Sequence, residues 1–298
     1  MMTNQFHPQE RPAGKETMEH QEGFFKGARD TRIFYQAWLP NGDPKGILIV
    51  VHGLAEHCGR YMNLVNHFVP QGYAVYGMDH IGHGKSNGAR VYVHRFEDLT
   101  DTLKTFFEMV KKWHPEKPVF LVGHSAGGLI SAAYLLEHQS ELTGAILSAP
   151  TIKVPQNISS PTIFFGRVFS TLIPKFGLIA LDPTGVSRDP AVVEAYVNDP
   201  LVYNGKTTAR LAAELLKAMQ RVFAEGSRIT MPILIIQGGK DRMVDPSGAR
   251  MFYEKINSKD KTIKVYPELY HELFNEPERD QVLSYVEGWL EPHLASPA

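Results

Sequence analysis

A single serine stands between two glycines where a short apolar run gives way to a helical pattern. The segment reads VFLVGHSAGGLI, residues 119–130, with Gly123 two positions before Ser125 and Gly127 two positions after it. The run before the serine is apolar, β-branched and aromatic, as in a buried strand, and the leucines and alanines after it recur at helical spacing. Such a junction is typical of a nucleophile elbow, a turn so tight that flanking side chains would collide. A serine that only caps a helix is the alternative.

Short apolar runs alternate with amphipathic stretches over most of the 298 residues. We predict strands in the ranges 31–39, 46–53, 72–79, 118–124, 143–149, 231–239 and 261–267, and helices in 96–113, 125–138, 246–257 and 279–290. Strands that alternate with helices imply a mostly parallel sheet with helices on both faces and function at the carboxyl ends of the strands. The fold class is therefore α/β.

The alternation fails once, between residues 151 and 225, where Phe, Leu, Ile and Pro are frequent and no clear strand is visible. We interpret this segment as a helical cap inserted into a core formed by residues 23–150 and 226–298. A second, separate helical domain is the alternative. Residues 1–22 are polar throughout, which predicts a flexible tail rather than a signal peptide or membrane anchor.

The composition limits which kinds of partner the protein can bind and in which compartment it is expected. A formal net charge of −1 argues against a nucleic-acid partner, which would need a basic face. A single cysteine, Cys58, excludes an internal disulfide framework and favours a reducing, cytoplasmic location. The most apolar stretch, residues 161–181, is interrupted by Arg167, Pro174 and Lys175, which argues against a membrane span.

A serine nucleophile requires a base, and the base requires an acid that orients it. In an elbow-containing α/β sheet the chain order is serine, acid, histidine, each on a loop after a strand. Asp241 and Asp245 follow the strand predicted in 231–239, and His271 follows the last predicted strand. Asp245 precedes a proline at the start of a helix, where aspartate serves as a cap. We therefore predict Ser125, Asp241 and His271 as the catalytic residues.

Two backbone N–H groups are needed to stabilise the oxyanion that forms when a serine attacks a carbonyl. One belongs to the residue after the nucleophile, Ala126, and the other to the loop after the strand 46–53, where Leu54 follows His52 and Gly53. This chemistry requires no metal ion and no organic cofactor.

Six segments carry a family resemblance that extends from about residue 23 to residue 290. They are HGLAEHCGRY, DHIGHGKSNG, PVFLVGHSAGG, VNDPL, GGKDRMVDPSGA and YHELFNE. Together they resemble the monoacylglycerol lipase and lysophospholipase branch of the α/β-hydrolases. The resemblance implies an α/β-hydrolase fold, and it implies the same three catalytic residues and the same two oxyanion donors.

The resemblance also implies where the alcohol of a substrate binds. Glu56, Arg60 and Tyr196 match polar residues near the alcohol end of the site, whereas Phe274 stands where the family often has a histidine. Leu54 stands where the lipases usually have alanine. The implied reaction is cleavage of a monoacylglycerol to a fatty acid and glycerol.

Three alternatives remain beside that reaction. A lysophospholipase or a general carboxylesterase would use the same fold and the same three residues. A non-catalytic binding protein of this fold is disfavoured because it would be expected to lack one of the three.

The apolar character of the cap predicts a lipid substrate. Phe164, Phe165 and Phe169 are predicted to set the acyl-chain preference. An amphipathic helix that contains them is predicted to bring the cap into transient contact with a membrane or micelle surface; its other members are Leu172 and Ile173, with Arg167 and Lys175 among them. The protein would then be peripheral at a membrane at times. A buried lid without any membrane role is the alternative.

Overall fold

The computed structural model describes residues 18–153 and 170–294. The strands within these ranges are β1 (Glu19–Lys26), β2 (Arg32–Leu39), β3 (Gly46–Val51), β4 (Tyr73–Met78), β5 (Val119–His124), β6 (Gly144–Ser148), β7 (Gly177–Ala180), β8 (Lys206–Thr208), β9 (Ile233–Gly238) and β10 (Lys261–Tyr266). The α-helices are α1 (Met62–Phe68), α2 (Glu97–Trp113), α3 (Ala126–His138), α4 (Pro190–Asn198), α5 (Ala209–Glu225), α6 (Ser247–Lys255) and α7 (Arg279–His293).

Eight of these strands form one sheet in the order β1-β2-β4-β3-β5-β6-β9-β10. The pairs β1/β2 and β2/β4 are antiparallel, and the remaining pairs are parallel. The chain places β4 on one side of β3 and β5 on the other, so the strand order reverses between β3 and β5. Ligands of open α/β sheets bind at the carboxyl ends of the strands beside such a reversal.

The carboxyl ends of the central strands line up at one edge of the sheet. Val51 of β3 lies beside Gly123 of β5, and His124 of β5 lies beside Ser148 of β6. In the parallel pair β9/β10, Gly238 lies beside Tyr266. The loops that follow β3, β5, β9 and β10 therefore begin at similar heights, which brings residues distant in sequence to a common edge.

Both faces of the sheet are buried, which explains why the central strands read as continuous apolar runs. In β3, Ile47 and Ile49 pack on one face with α2, α3 and α5, whereas Leu48 and Val50 pack on the other with α1 and α7. The predicted α/β class, a mostly parallel sheet with helices on both faces, is confirmed.

The first strand lies partly in the predicted tail. Strand β1 pairs antiparallel with β2 from Glu19 to Lys26, so the prediction of a tail is wrong for residues 19–22. Its sequence, EHQEGFFK, is mostly polar and its side chains are mostly exposed, as is usual for a strand at a sheet edge. The apolar alternation that reveals a strand is therefore missing.

The predicted cap also differs from its expected form. Strands β7 and β8 pair as a two-stranded antiparallel sheet, where the sequence indicated no strand. They have four and three residues, too few for an alternating pattern to be visible. Helix α5 buries Leu211, Leu215 and Val222 in the core layer shared with α3, so the end of the predicted cap packs on the core.

The aromatic residues that were expected to set the acyl-chain preference, Phe164, Phe165 and Phe169, lie outside the described residues. Within the described ranges, no helix combines the length and the apolar character that crossing a membrane requires.

Candidate active site

Ser125 occupies a strained turn between β5 and α3. Its backbone φ and ψ are 54° and −121°, a left-handed conformation that a residue with a side chain rarely adopts. The turn is held by its neighbours, since the Ser125 N–H donates to the carbonyl of Ser148 at 2.9 Å. The hydroxyl points into a pocket, where its Oγ is 3.4 Å from Oγ1 of Thr151. These are the features of a nucleophile elbow.

The flanking glycines are required by close packing, as predicted. A Cβ on Gly123 would lie 2.4 Å from Oγ of Ser131, and a Cβ on Gly127 would lie 1.9 Å from the carbonyl oxygen of Val51. Without a side chain at Gly127, the first turn of α3 packs directly on the end of β3. The loop that follows β3 also comes close to the serine, since a Cβ on Gly53 would lie 3.2 Å from Cβ of Ser125.

Asp241 and His271 form a buried hydrogen-bonded pair. Nδ1 of His271 lies 2.8 Å from Oδ2 of Asp241, and their side chains are 4% and 0% exposed. The other carboxylate oxygen accepts the N–H groups of Met243 and Val244. Burial raises the pKa of Asp241, but His271 and these N–H groups outweigh it, so the pKa lies below its ordinary value. An ionised Asp241 keeps a proton on Nδ1 of His271, so Nε2 of His271 is the nitrogen that can accept a proton.

Gln237 is a member of this group that the sequence did not reveal. Its side-chain amide donates to Oδ2 of Asp241 at 3.0 Å, the same oxygen that His271 contacts. Its position inside the apolar strand β9 was the only signal in the sequence.

Asp245 is placed elsewhere and serves the backbone. Its carboxylate accepts the N–H of Ser247 at 2.9 Å at the start of α6 and the ammonium of Lys153 at 2.5 Å. The hydrogen bonds from these two residues lower the pKa of Asp245 to about 2. These contacts agree with the structural role that its sequence position indicated.

A second histidine packs against His271. The ring of His124 lies 4.7 Å from it, centroid to centroid, and is buried. Burial and the nearby His271 lower the pKa of His124 to about 3, so it is neutral at physiological pH. A neutral neighbour does not repel the positive charge that a catalytic histidine acquires.

The loop after β3, residues 52–56, is named here the oxyanion loop. The N–H of Gly53 donates to Oε1 of Glu56 at 2.6 Å, and its carbonyl is 2.7 Å from Nδ1 of His52. Ala55 has a φ of 66°, which turns the chain sharply within the loop. Leu54 lies on the pocket wall beside Ser125, where its N–H was predicted to bind an oxyanion.

Glu56, Arg60 and Glu272 form an ion-pair group that we call the charged cluster. Arg60 donates from Nη1 and Nη2 to the two oxygens of Glu272, at 2.5 and 2.9 Å, and from Nη1 to Glu56 at 3.1 Å. Tyr61 donates its hydroxyl to Glu56 at 2.8 Å, and the ring of Tyr196 lies 4.5 Å from the Arg60 guanidinium. All three charged side chains are at most 8% exposed.

Burial and charge act in opposite directions on the two carboxylates. Burial raises the pKa of Glu56 above its ordinary value, against the effect of Arg60. Burial also acts to raise the pKa of Glu272, but the double contact with Arg60 outweighs it and lowers that pKa. Glu272 was not predicted as a site residue, and its position next to His271 was the only sequence signal.

A narrow pocket brings these groups together, with space of about 20 Å³, which is room for about one water molecule. The polar side chains that line it are those of Glu56, His124, Ser125, Tyr196, His271 and Glu272; the rest of the lining is Gly53, Leu54, Leu181, Val186 and Met243. Ser125, His271, Glu56 and Tyr196 of the predicted site thus share one cavity.

Phe274, like Arg60, is a predicted substrate contact that does not line the pocket. Its ring is buried in the core layer that contains Leu273 and Val282, and its carbonyl accepts from the side chain of Asn63 at 3.1 Å. The chain enters a short helical turn after Glu272, which directs the Phe274 side chain into the core. The prediction that Phe274 lines the substrate site is therefore wrong.

Comparison with known proteins supports this description. Residues 42–278 match a family model described as serine aminopeptidase, S33. The monoacylglycerol lipase of Mycolicibacterium smegmatis is 37% identical over 273 residues, which are 92% of this chain and 98% of that protein. The monoglyceride lipase of Rattus norvegicus is 35% identical over 266 residues, 88% of each chain. The crystal structure of the Paleococcus ferrophilus monoacylglycerol lipase matches with a TM-score of 0.78 at 29% identity, covering 93% of this chain and 99% of that one.

Proposed function

Because the chain belongs to the serine aminopeptidase S33 family, in the branch of α/β-hydrolases that resembles monoacylglycerol lipases, we propose that it cleaves monoacylglycerols to fatty acid and glycerol. The observation that carries the proposal is the pocket in which the elbow serine and the Asp241–His271 pair face a polar wall. The monoacylglycerol lipases that it resembles over nearly their whole length support the choice of substrate.

The proposed reaction begins with a proton transfer. The Ser125 hydroxyl turns from Thr151 to Nε2 of His271, which takes the proton as Oγ attacks the ester carbonyl. The N–H groups of Ala126 and Leu54 stabilise the negative oxygen, and Asp241 stabilises the imidazolium. The carbon–oxygen bond to glycerol then breaks, and His271 returns the proton to the departing oxygen. Water repeats these steps on the acyl-enzyme and releases the fatty acid.

The two walls of the pocket suit the two ends of the substrate. The hydroxyls of glycerol match the polar side chains Glu56 and Tyr196, whereas an acyl chain matches Leu181, Val186 and Met243. A pocket that holds about one water cannot hold an acyl chain, so we propose that the cap moves when the substrate binds.

The described part of the cap has an apolar surface suited to a lipid aggregate. Leu172, Ile173, Phe176 and Ile179 are 72%, 45%, 54% and 53% exposed. Exposed apolar groups this close together in sequence are typical of surfaces that bind partners or membranes. We propose that this surface contacts the micelle or membrane from which the substrate is taken.

The function is tested with a fluorophosphonate probe and with hydrolysis of 1-oleoylglycerol. The wild-type protein is expected to be labelled and to release oleate, and Ser125→Ala is expected to lose labelling and to lower kcat by about 10⁴- to 10⁶-fold. Ser247→Ala, which removes a hydroxyl outside the pocket, is the matched control and should keep both. Substantial hydrolysis by a folded Ser125→Ala protein would contradict the mechanism.

The same assay separates the alternatives. Glyceryl oleate, methyl oleate and oleoyl-lysophosphatidylcholine share one acyl chain and differ only in the alcohol. Faster cleavage of the lysophospholipid would identify a lysophospholipase. Equal cleavage of the methyl and glyceryl esters would identify a general carboxylesterase.

The identity of the residue that orients His271 is tested by substituting two aspartates that are four residues apart in sequence. Asp241→Asn is expected to lower kcat by about 10⁴-fold, because an amide favours the wrong tautomer of His271. Asp245→Asn should leave kcat unchanged and cost about 1 kcal/mol of stability, since it loses contacts at the start of α6. The opposite pattern would assign the role to Asp245.

A further inference from the structure

The polar wall of the pocket holds more negative than positive charge. Glu56 and Glu272 both line the cavity that contains Ser125, and Arg60 is the cation that contacts them. Arg60 is 8% exposed, donates to both carboxylates and stacks on the ring of Tyr196. Its guanidinium is therefore committed to groups of the protein.

The contacts around both carboxylates are those that an ionised carboxylate accepts. The partners of Glu272 are N–H groups of Arg60 and of the Asn275 side chain, which can only donate. Glu56 accepts from the Gly53 N–H and from Arg60, which also only donate, and from the Tyr61 hydroxyl. Two carboxylates and one guanidinium leave one negative charge at this wall.

We propose that Glu272 is a specificity-determining residue that makes the alcohol end of the pocket net negative, so that glyceryl esters are accepted and esters whose alcohol bears a phosphate monoester are rejected. This inference rests on the proposed function. Among the described residues that line the pocket or contact its carboxylates, a phosphate would meet two carboxylates and no uncommitted cation, and like charges in a buried site repel strongly. Rejection by an unfavourable charge is a common source of specificity.

The test compares two substrates that differ only in the phosphate. We would measure kcat/KM for 1-oleoylglycerol and for 1-oleoylglycerol 3-phosphate with the wild type and with Glu272→Gln. Glutamine keeps an oxygen for Arg60 and removes the charge. Because both substrates use the same His271 in each protein, the ratio of their kcat/KM values cancels any effect of the substitution on the base.

The matched control is Glu276→Gln, which removes a buried carboxylate four residues further along. Glu276 is 0% exposed, pairs with Arg188 and does not line the pocket. The wild type is expected to prefer the neutral ester at least about 100-fold, and Glu272→Gln should lower this preference about tenfold, consistent with the cost of like charges at a binding site. Glu276→Gln should keep the wild-type ratio.

A second measurement needs no substitution, in case Glu272→Gln does not fold. The wild type should cleave oleoylcholine, which is cationic, and oleoylglycerol faster than the phosphate ester. Comparable kcat/KM values for the neutral and phosphate esters would overturn the inference, as would an unchanged ratio in a folded Glu272→Gln protein. Failure of the wild type to cleave any of these esters would instead overturn the proposed function, and the inference with it.

Discussion

Two groups of buried titratable side chains hold Gly53 of the oxyanion loop. One group is charged and the other is neutral. The charged cluster binds the N–H of Gly53 through Glu56 at 2.6 Å. The carbonyl of Gly53 is held at 2.7 Å by His52, which belongs with His80 and His83 to what we call the histidine cluster. The two clusters thus hold both backbone polar groups of Gly53, the residue before Leu54.

The histidine cluster is neutral because burial lowers the pKa of each of its three rings, against the effect of their backbone hydrogen bonds. Nε2 of His52 accepts the N–H of His80, so its proton is on Nδ1, and Nε2 of His80 lies 2.9 Å from the carbonyl of His52. Burial and neighbouring histidines lower the pKa of His52, and burial lowers that of His80 to about 3. A proton on Nε2 of His52 would face another donor, so the geometry also disfavours charge.

The comparison shows two ways to make a buried support for a loop. In the charged cluster, attraction between opposite charges offsets the cost of removing them from water, and the group depends on every partner being present. In the histidine cluster no charge is buried, and the group depends on pH instead. Each dependence can be tested by a single substitution.

The largest expected effect is the loss of the central cation. Arg60→Met keeps much of the side-chain volume but leaves Glu56 and Glu272 buried without a counter-charge. Breaking one partner out of a buried ion pair costs about 3–5 kcal/mol, so we expect a loss of that size in the free energy of unfolding, measured by urea denaturation at pH 7.

The control for this loss is Lys26→Met, because the ion pair of Lys26 with Asp30 is 79% and 85% exposed. Exposed pairs contribute little, so the control should leave the urea midpoint within error of the wild type. If Arg60→Met and Lys26→Met were equally stable, the charged cluster would not support the fold, and the comparison drawn above would fail.

A smaller effect is expected from the histidine cluster when the pH is lowered. Burial lowers the pKa of His83 to about 4. Its stabilising contribution is complete above the unfolded pKa, about 6.5, and is lost as the pH falls toward 4, because the unfolded chain binds a proton that the folded one does not. His83→Asn keeps a donor for the Ile81 carbonyl and should flatten this fall by up to about 1.4 kcal/mol per pH unit.

The measurement is the free energy of unfolding in urea at several pH values between 7 and 5. His94→Asn is the control, because His94 is exposed and its removal should leave the slope unchanged. The change of slope is the readout, so a general loss of stability in His83→Asn does not obscure it. An identical slope in all three proteins would mean that folding does not lower the pKa of His83.

Much of the fold was predictable because its central strands are buried on both faces. Seven predicted strands correspond to strands of the main sheet, with bounds that differ by a few residues. Strand β1 was missed because an edge strand needs no apolar pattern, and β7 and β8 were missed because they are very short. The loops that follow the predicted strands are close to one another in space because parallel strands align their carboxyl ends.

The residues of the elbow and of the Asp241–His271 pair could be named in advance because local rules restrict them. Only glycine fits two positions before Ser125 and two positions after it, and the acid and the histidine each follow a strand. Their catalytic roles stay predictions until the variants are measured. Phe274 was misplaced because the short helical turn after Glu272, which no residue pattern announces, turned its ring into the core.

The sequence by itself determined the sheet, the strained serine and the order of the three candidate catalytic residues, because each depends on chemistry within a few positions of the chain. Only the tertiary structure decided how the polar side chains divide their hydrogen bonds. Arg60 and Glu272 are far apart in sequence, and their contact at 2.5 Å exists because β3 and β10 end at the same edge of the sheet. Pairing over such a separation depends on the packing of the whole core, which no local pattern records.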